Sequence, residues 1–535
     1  MTGKFDFVIS VDRTLMTTHH DREFVGFMTT GPAVLLPERL WMWLSAPKVR
    51  KGPDGLPMFA PYGLRKIEAA LLDAGYNAAI VDPDDVPRYA AEAKAFMIGH
   101  HDYFAFNPPS SEWWLVTGRE PVNRKSLLKF MSTVAEVKRS RNPGLKIIAG
   151  GPAAWQWLYV PHYVEQFAVD TIVDGEAEKA VVQLAKAVVD GSELPRYLSV
   201  APRDSPKLDE INKIKGASVN GLIEIMRGCP RGCKFCNVTL RPLRYIPLED
   251  IEEELKVNRA AGIRAGILHS EDVLLYGADG IHPRPEPLLK LHELAKHYYD
   301  KSVTWSHASL AAVVSAEREH GLIRRLSELL LRDEQSFLGF QTGIETGSPR
   351  LARVIMPAKA SPYPADKWPD VVEEAFSILH DNHMVPAATI ILGLPGELPE
   401  DLTKTMELMD RLKDYRSMIV PMFFVPMGVL RREDWFRSVS LNREHAELMV
   451  ATMRHSVRWA KDIVNKFYLK GVAATPMRSL IMYFLNRAAK FSEGLTPEKV
   501  LDYIEDAKER MSSERSEEPV LSPLRKRLEA ALASS

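Results

Sequence analysis

Three cysteines stand close together in the sequence and could hold a metal centre. Cys229, Cys233 and Cys236 are the only cysteines among 535 residues, and they form a Cys-x3-Cys-x2-Cys pattern after a predicted strand. Three thiolates can hold a [4Fe–4S] cluster and leave its fourth iron open to a ligand from outside the protein. An odd number of cysteines does not make a complete disulfide framework. The pattern therefore predicts an iron–sulfur cluster and a reducing compartment.

A structural zinc site is the alternative for the same cysteines. Zinc of this kind takes four ligands, and the nearest histidine downstream, His269, is too far along the sequence to complete the site locally. Gly228 and Gly232 lie within the cysteine loop and would let it wrap closely around a larger centre. Both observations favour the cluster.

Two further motifs follow the cysteines, each at a predicted strand end: GIETGS (Gly343–Ser348) and IILGLPGE (Ile390–Glu397). Taken with the cysteine motif, they resemble the radical S-adenosylmethionine (SAM) superfamily over residues 221–430. The resemblance implies that the open iron of the cluster binds SAM. It implies SAM contacts for these residues: Phe235 against the adenine, Glu345 at the ribose hydroxyls, Ser348 beside it, and Leu392 and Gly393 at the adenine. Taken singly, Glu345 could be a helix cap and the glycines after Leu392 a plain turn.

The second predicted strand departs from the pattern of this family. Many relatives carry Gly-Gly-Glu where this chain has His269-Ser270-Glu271-Asp272. The resemblance implies that Glu271 or Asp272 takes the SAM amino group, and Glu271 is the predicted residue.

Strands and helices alternate through the segment that carries these motifs. The predicted strands are Leu222–Met226, Gly266–His269, Val303–Ser306, Phe337–Gln341, Ala388–Leu392 and Ile419–Phe424. This spacing predicts a partial (βα)6 barrel over 221–430, with the chemistry at the carboxyl ends of its strands. Residues 431–535 are predicted as a C-terminal helical region with a charged tail.

Residues 1–198 show a second alternation of the same kind. The predicted strands are Phe5–Val11, Ala78–Val81, Tyr103–Phe106, Lys146–Ala149 and Thr171–Val173. The predicted helices are Tyr62–Ala74, Lys125–Arg139 and Glu176–Val189. Apolar strands between amphipathic helices indicate an α/β domain with a doubly wound parallel sheet. Residues 199–220 are polar and are predicted as a linker to the barrel.

Four segments of this domain, Phe59–Tyr76, Phe106–Ser111, Ile147–Trp155 and Ile172–Glu178, resemble the cobalamin-binding domain of one large radical SAM class. A flavodoxin-like sheet binds flat cofactors at the carboxyl edge of its strands. The resemblance implies a cobalamin site made by Asn107, Pro108, Ser110, Gly150, Gly151, Pro152, Gly175 and Glu176. The alternative is a Rossmann-like module without a cofactor.

Many cobalamin domains carry an Asp-x-His-x-x-Gly motif whose histidine ligates cobalt. This chain has no such motif, because His19, His20, His100 and His101 lack the spacing. Cobalt is therefore expected to bind without a histidine.

Together the resemblances imply a cobalamin-dependent radical SAM methyltransferase acting on an unactivated carbon. One SAM supplies a 5′-deoxyadenosyl radical and a second remethylates cobalamin, so no catalytic acid or base is predicted. The segment FDFVISVDRTLM and the layout are similar to radical SAM proteins of methanogens. Some of those proteins C-methylate residues in the α subunit of methyl-coenzyme M reductase, and one of these residues is a glutamine. The predicted partners are that subunit and an electron donor of the flavodoxin or ferredoxin type.

Three other functions remain open. A ring rearrangement or a polar methyl transfer would use the same cofactors. A methylthiotransferase would need a further three-cysteine cluster before the barrel, and this chain has no cysteine outside 229–236. A cofactor-binding protein without catalysis is the third.

Charge and hydropathy limit the classes of partner that the protein is expected to bind and indicate its cellular location. The chain has 69 basic and 70 acidic residues, which gives no support to a nucleic-acid or anionic-membrane partner. Its longest apolar stretch, Met418–Leu430, is interrupted by Pro421 and Pro426 and is too short to cross a bilayer. The first residues lack the layout of a signal peptide. A cytoplasmic protein is expected.

Overall fold

The structure, a computed structural model, describes residues 4–21, 23–33, 36–332, 335–425, 427, 430, 441–467 and 475–514. Its chain divides into two compact units, with Ile223 and Glu224 on either side of the main boundary. The first unit also takes in Glu253–Ile263 and the residues from Asp506, and the second runs on to Glu505. The C-terminal helices before Asp506 therefore belong to the second unit. Parts of the predicted 1–198 and 431–535 regions, among them Ser522-Pro523, lie outside the described residues.

Short strands alternate with helices in the first unit, which confirms the α/β class. The strands are β1 (Phe7–Ile9), β2 (Phe59–Ala60), β3 (Ala78–Ile80), β4 (Ala95–Gly99), β5 (Lys146–Gly150), β6 (Thr171–Asp174), β7 (Tyr197–Ser199) and β8 (Ala217–Ser218). The helices are α1 (Glu23–Thr30), α2 (Glu38–Ser45), α3 (Tyr62–Asp73), α4 (Val86–Tyr89), α5 (Ser110–Thr117), α6 (Val122–Ser140), α7 (His162–Gln166) and α8 (Glu178–Asp190).

A six-stranded sheet in the order β3-β1-β4-β5-β6-β7 forms the core of this unit. All its pairs are parallel, and β1 pairs with β3 on one side and β4 on the other. The chain therefore reverses its direction of winding between β1 and β4. In doubly wound sheets the crevice outside this switch point is where ligands bind.

The predicted strand at Tyr103–Phe106 is wrong. The third strand of the winding is β4, eight residues earlier, and Ala105 has φ +57°, which lies outside the extended backbone region. Tyr103 and Phe104 are buried because they pack edge-on against Trp157, with ring centroids 5.1 and 4.9 Å away. The amide of Phe104 donates to the Gln156 side chain instead of a neighbouring strand. Burial in an aromatic cluster thus imitated the pattern of a buried strand.

Longer strands and helices alternate in the second unit. The strands are β9 (Leu222–Glu224, which crosses the boundary), β10 (Met226–Arg227), β11 (Arg244–Tyr245), β12 (Ala265–His269), β13 (Ser302–Trp305), β14 (Leu338–Glu345), β15 (Met384–Leu392) and β16 (Met418–Phe423). The helices are α9 (Leu248–Ala260, which crosses the boundary at Glu253), α10 (Pro285–Tyr298), α11 (Leu310–His320), α12 (Leu322–Leu330), α13 (Pro349–Ile355), α14 (Trp368–Asp381), α15 (Pro399–Leu412), α16 (Arg443–Lys466), α17 (Thr475–Glu493) and α18 (Pro497–Glu514, which crosses the boundary at Asp506).

Parallel pairing sets the carboxyl ends of these strands at one end of the unit. β12 pairs with β13, and β14, β15 and β16 form a run of neighbours. A parallel bridge between His307 and Gln341 connects the two groups. Residues of β14 alternate between buried (Phe340, Ile344) and half-buried (Gln341, Gly343), as expected for a strand with one face in a barrel lumen. Within the described ranges no helix is long and apolar enough to span a bilayer.

Candidate functional site

The cysteine loop follows β10 directly and is compact. Gly228 has φ +82°, and a Cβ there would come within 2.7 Å of the Pro242 carbonyl oxygen. The Cys236 amide donates to the Cys233 carbonyl at 3.1 Å, and the Thr239 hydroxyl donates to the Cys236 carbonyl at 2.9 Å. A side chain at position 228 would break this turn, so the loop needs its glycine.

Burial governs the protonation of the three thiols. It raises the pKa of Cys229 to about 12 and that of Cys236 to about 11, and it also raises the pKa of Cys233. The charge of Cys233 adds to the shift of both other thiols, so it lies within electrostatic range of each. Iron binds the thiolate form, so loading a cluster here must release protons. Among the described residues, no three His, Cys, Asp or Glu side chains are grouped to hold a single metal ion.

Arg231 lies inside the cysteine loop and fastens it to the segment after α13. Its side chain is 2% exposed, and Nη1 donates to the carbonyl oxygens of Lys359 at 3.1 Å and Ser361 at 2.9 Å. Its Nε lies 3.4 Å from Oδ2 of Asp272, at the end of β12. The loop is therefore tied to the end of β12 and to the segment after α13.

The two acids after β12 have different environments. Asp272 is 1% exposed and bonded to both Arg231 and the Ser309 hydroxyl, although burial still raises its pKa. Glu271 is half-buried, and its charge raises the pKa of the Cys236 thiol, which places it beside the cysteine loop. Oδ2 of Asp272 is thus used within the protein, while its buried Oδ1 has no partner among the described residues, and contact of Glu271 with the SAM amino group stays a prediction.

Glu345 ends β14 in an unusual backbone conformation. Its φ is +64°, and the β14–β15 register shifts between Gly343 and Glu345. The buried carboxylate accepts from Lys359 Nζ at 2.6 Å and from the Thr389 hydroxyl at 2.9 Å. A Cβ on Gly343 would overlap both the carboxylate and the ammonium, so the glycine of GIETGS makes room for this pair.

Lys359 is a site residue that the sequence did not reveal. Burial lowers the pKa of its ammonium, but the Glu345 carboxylate and the Cys233 thiol outweigh that effect and raise it. Nζ also lies 5.8 Å from the ring centroid of Phe235. The residue thus contacts the predicted ribose ligand and lies near the predicted adenine contact. No motif or spacing marks it, because only the fold brings the 358–361 segment back to the cysteine loop.

Ser348 has its hydroxyl occupied within the protein. It donates to Asp401 at 2.5 Å and accepts from the Leu351 amide at 3.2 Å as the N-cap of α13. At the end of β15, the Leu392 carbonyl accepts from the Phe424 amide at 2.9 Å, and Gly393 adopts φ +77°. Direct contacts of Ser348, Leu392 and Gly393 with SAM stay predictions.

The predicted glycines of the first unit lie at the carboxyl edge of its sheet. Gly151 has φ +87°, and a Cβ there would come within 2.7 Å of the His100 amide nitrogen. Gly175 has φ +130°, and a Cβ there would lie 2.7 Å from the Val200 carbonyl oxygen. Both glycines therefore serve close backbone packing at the edge. Gly150 is the last residue of β5, followed after Gly151 by Pro152, and Glu176 is buried after β6.

The predicted cobalamin-site residues Asn107, Pro108 and Ser110 differ in whether their polar atoms are free to meet a ligand. Asn107 donates from Nδ2 to the His101 carbonyl at 2.6 Å, and its buried Oδ1 has no partner within the described part of the chain. An unpaired buried acceptor of this kind fits a ligand with hydrogen-bond donors. Ser110 is 1% exposed and accepts from Asn123, so its hydroxyl lies in the interior. Pro108 precedes it in the same turn.

Two histidines at the switch point were not among the predicted site residues. His100 uses both ring nitrogens, because Nε2 lies 3.1 Å from an Asp12 carboxylate oxygen and Nδ1 accepts from the Asp102 amide at 2.8 Å. His101 stacks on it, with ring centroids 5.4 Å apart. Desolvation lowers the pKa of the His101 ring to about 4, so the ring is neutral at pH 7. The sequence analysis missed both residues because it placed the third strand at Tyr103–Phe106, after them, whereas β4 ends directly before them at Gly99.

Comparison with known proteins bears on the second unit. Residues 223–409 match the sequence profile of the Radical SAM superfamily, and the three cysteines, Glu271, Glu345 and Gly393 all fall within that match. Residues 223–409 form a radical SAM domain. Proteins of this superfamily bind a [4Fe–4S] cluster and SAM, so both are cofactors of this domain. The cysteine loop with its required glycine and the buried acids at the strand ends fit them.

Curated relatives match part of this chain. The uncharacterized protein MK0932 of Methanopyrus kandleri is 28% identical over 238 residues, 43% of this chain and 42% of that protein. The tRNA-2-methylthio-N(6)-dimethylallyladenosine synthase of Fervidobacterium nodosum is 26% identical over 38% of this chain and 46% of that protein. The ribosomal protein uS12 methylthiotransferase RimO of Thermotoga maritima is 24% identical over 36% and 41%. The chain thus spans about half the length of the curated relatives it matches or less.

Solved structures of one methyltransferase also resemble the chain. The radical SAM methyltransferase TsrM from Kitasatospora setae, with tryptophan and a SAM analogue bound, aligns with a TM-score of 0.49 and 14% identity. That alignment covers 77% of this chain and 72% of TsrM. A second TsrM structure, with cobalamin and a [4Fe–4S] cluster bound, aligns with a TM-score of 0.48.

Proposed function

We propose that the chain is a cobalamin-dependent radical SAM methyltransferase that methylates an unactivated carbon. The observation that carries the proposal is the presence, in one chain, of a radical SAM domain and a parallel sheet in flavodoxin-like order. When bound, the cluster and SAM supply a 5′-deoxyadenosyl radical, and methylcobalamin supplies the methyl group. The protein's own residues bind, orient and shield these groups.

In the radical SAM domain, each strand end has a distinct role. Cys229, Cys233 and Cys236 hold the cluster on a loop that Arg231 fastens. Glu271 takes the SAM amino group. Glu345, held by Lys359 and Thr389, takes the ribose hydroxyls, while Phe235, Leu392 and Gly393 form the adenine side. Fixed partners around Glu345 mean that little reorganisation is needed when SAM binds.

Cobalamin would bind at the carboxyl edge of the first unit. The edge carries Gly150, Gly151, Pro152, Gly175 and Glu176, with the unpaired Oδ1 of Asn107 nearby. We expect no histidine on the lower axial face, since His100 is fully engaged and the cobalt-ligating motif is missing. Electron paramagnetic resonance of cob(II)alamin should show no nitrogen superhyperfine coupling, with His101→Ala as the matched control. Coupling that disappears in this variant would identify His101 as the ligand and contradict the expectation.

The proposed substrate is a residue of a protein, such as a glutamine in the α subunit of methyl-coenzyme M reductase. Support for it comes from the likeness of the N-terminal segment Phe5–Met16 to radical SAM proteins of methanogens. An external donor of the flavodoxin or ferredoxin type would reduce the cluster, in a reducing cytoplasm that keeps the thiols available. We propose no nucleic-acid or membrane partner.

An anaerobic assay with candidate peptides tests the reaction. Each methyl transferred should accompany one 5′-deoxyadenosine and one S-adenosylhomocysteine, because one SAM supplies the radical and another the methyl group. Deuterium on the substrate carbon should appear in 5′-deoxyadenosine. Replacing all three cysteines with alanine should abolish both the cluster absorbance and SAM cleavage.

Each competing function predicts a different product pattern in the same assay. A polar methyl transfer would give S-adenosylhomocysteine without coupled 5′-deoxyadenosine, and a rearrangement would give no mass gain. A methylthiotransferase, the activity named for two of the curated relatives, would add sulfur along with the methyl group. A cofactor-binding protein without catalysis would not cleave SAM even with a strong reductant.

A further inference from the structure

Helix α16 lies outside the matched radical SAM segment, yet its first turn reaches the loop after β15. Nε2 of His445 lies 2.8 Å from Oε2 of Glu397, and the same oxygen accepts the Gly393 amide at 2.8 Å. Gly393 is the predicted adenine contact, and it adopts a left-handed φ of +77°, which glycine takes without strain. A helix beyond position 409 therefore contacts the part of the domain expected to bind adenine.

The orientation of the His445 ring is set by the start of its own helix. Nδ1 of His445 lies 3.2 Å from the Asn442 amide nitrogen and 2.5 Å from the Asn442 side-chain oxygen, and these two contacts turn Nε2 toward Glu397. Asn442 is also the N-cap of α16 and accepts the His445 amide at 3.0 Å. The His445 and Glu397 side chains are each 7% exposed, so water does not readily replace either partner.

We propose that His445 is a positioning residue for the adenosine half of SAM. It holds the Glu397 carboxylate in place, and the carboxylate in turn holds the Gly393 amide. A buried carboxylate that loses a donor rotates toward other donors or toward water, because leaving it unsatisfied is costly. The loop after β15 would then lose the conformation in which it meets adenine. This inference rests on SAM binding by the radical SAM domain, and His445 itself needs no contact with SAM.

The same helix supplies a matched control. His455 is two to three turns further along α16, is 8% exposed against 6% for His445, and bonds through Nε2 to the Ser417 hydroxyl at 2.8 Å. Ser417 precedes β16 and is not part of the loop after β15. Replacing His455 therefore removes a buried histidine hydrogen bond from the same helix without touching Glu397.

The test is equilibrium dialysis with the full-length, cluster-loaded protein under anaerobic conditions. The probes are SAM and 5′-methylthioadenosine, which keeps the adenosine half and lacks the amino acid. We expect His445→Ala to raise the Kd for both probes about tenfold, the size expected for one hydrogen bond to a charged group. His445→Gln, which keeps a donor near the Nε2 position, should recover most of the affinity. His455→Ala should leave both Kd values unchanged.

Steady-state kinetics distinguish a positioning role of His445 from a general loss of structure in the variant. The KM for SAM should rise in His445→Ala while kcat at saturating SAM and the cluster absorbance stay at the parent level. The inference is overturned if His445→Ala binds 5′-methylthioadenosine as the parent does, or if His455→Ala loses as much affinity. A parent protein that bound neither probe would instead contradict the proposed function itself.

Discussion

Lys359 donates through Nζ to the Glu345 carboxylate across 2.6 Å, and both residues are buried in the radical SAM domain. The residue predicted from its motif to bind the SAM ribose thus has a cationic partner that no motif indicates. Lys359 and Thr389 together fix the orientation of the carboxylate. Because the partner is buried, substitutions at Glu345 affect folding as well as SAM binding.

Replacing Glu345 should therefore have two separable effects. Glu345→Ala removes the ribose ligand and also leaves the Lys359 ammonium buried without its anion. Breaking a buried pair in this way costs roughly 3–5 kcal/mol of unfolding free energy. We expect this loss in chemical denaturation, together with weaker SAM binding in dialysis and an intact cluster spectrum.

The double variant Glu345→Ala/Lys359→Met tells the two effects apart. It removes both charges, so much of the lost stability should return. SAM affinity should remain low, because the ribose ligand is still missing. If affinity returned together with stability, Glu345 would support the fold and not bind SAM.

Neutralising each of the two neighbouring acids after β12 in turn should have different effects, one on SAM binding and the other on stability. Glu271→Gln should weaken SAM binding about tenfold, because a charge-assisted hydrogen bond to the amino group is lost, and should leave the unfolding midpoint unchanged. Asp272→Asn should instead destabilise the protein by roughly 3 kcal/mol, because Arg231 is left without its anion. Dialysis and thermal unfolding on both variants would reveal a reversed assignment directly.

Alanine substitutions at two adjacent glycines, Gly150 and Gly151, should differ in how much they destabilise the sheet edge of the first unit. Gly151→Ala should destabilise the protein by about 2 kcal/mol or more, since φ is +87° and the new Cβ would press on the His100 amide. Gly150→Ala should cost less than about 1 kcal/mol, because its Cβ would meet the Val173 backbone at an ordinary 3.6 Å. Urea unfolding measures both. Equal costs would mean that the edge adjusts its backbone freely.

Acid should weaken the second unit through His292. This buried residue lies between the Leu288 carbonyl, 2.6 Å from Nδ1, and the Trp305 indole, whose N–H donates to Nε2 at 2.8 Å. Burial lowers its pKa to about 4, below the value near 6.5 of the unfolded chain. The unfolded chain then binds more protons between these values, so stability is lost as the pH falls through this window.

The expected loss from His292 is about 2 kcal/mol between pH 7 and pH 5, at 1.36 kcal/mol per pKa unit. Thermal or urea unfolding across that range measures it. In His292→Gln, which offers a donor and an acceptor but does not titrate, this part of the pH dependence should be absent. An unchanged pH profile in the variant would place the acid sensitivity elsewhere.

Local patterns predicted most elements and the residues at strand ends. The strand at each of the six barrel positions was predicted because its apolar residues and flanking turns are contiguous in sequence. Glu345 and the cysteines were predicted as site residues because their motifs are contiguous too. The third strand of the first unit was misplaced, since Tyr103 and Phe104 owe their burial to Trp157, more than fifty positions away.

Residues that act through tertiary contacts escaped prediction. Lys359 and His445 have no helical or strand periodicity that separates them from other polar residues of their segments. Each is a site candidate only because the fold sets its nitrogen within 2.6 and 2.8 Å of a carboxylate that a motif does mark. Asp272 shows the converse, because its position beside Glu271 suggested a ligand while Arg231 and Ser309 hold its Oδ2 within the protein.

The left-handed backbone at Glu345 makes the residue that is best for stability different from the residue that is needed for SAM use. At φ +64° a residue with a Cβ costs about 1–2 kcal/mol relative to glycine. Selection for heat resistance alone would have a reason to replace Glu345, together with Lys359, whereas selection for SAM use would retain both. Heat-resistant clones recovered from a random library should therefore carry glycine at position 345 together with an uncharged residue at position 359, and those clones should be the ones that no longer use SAM.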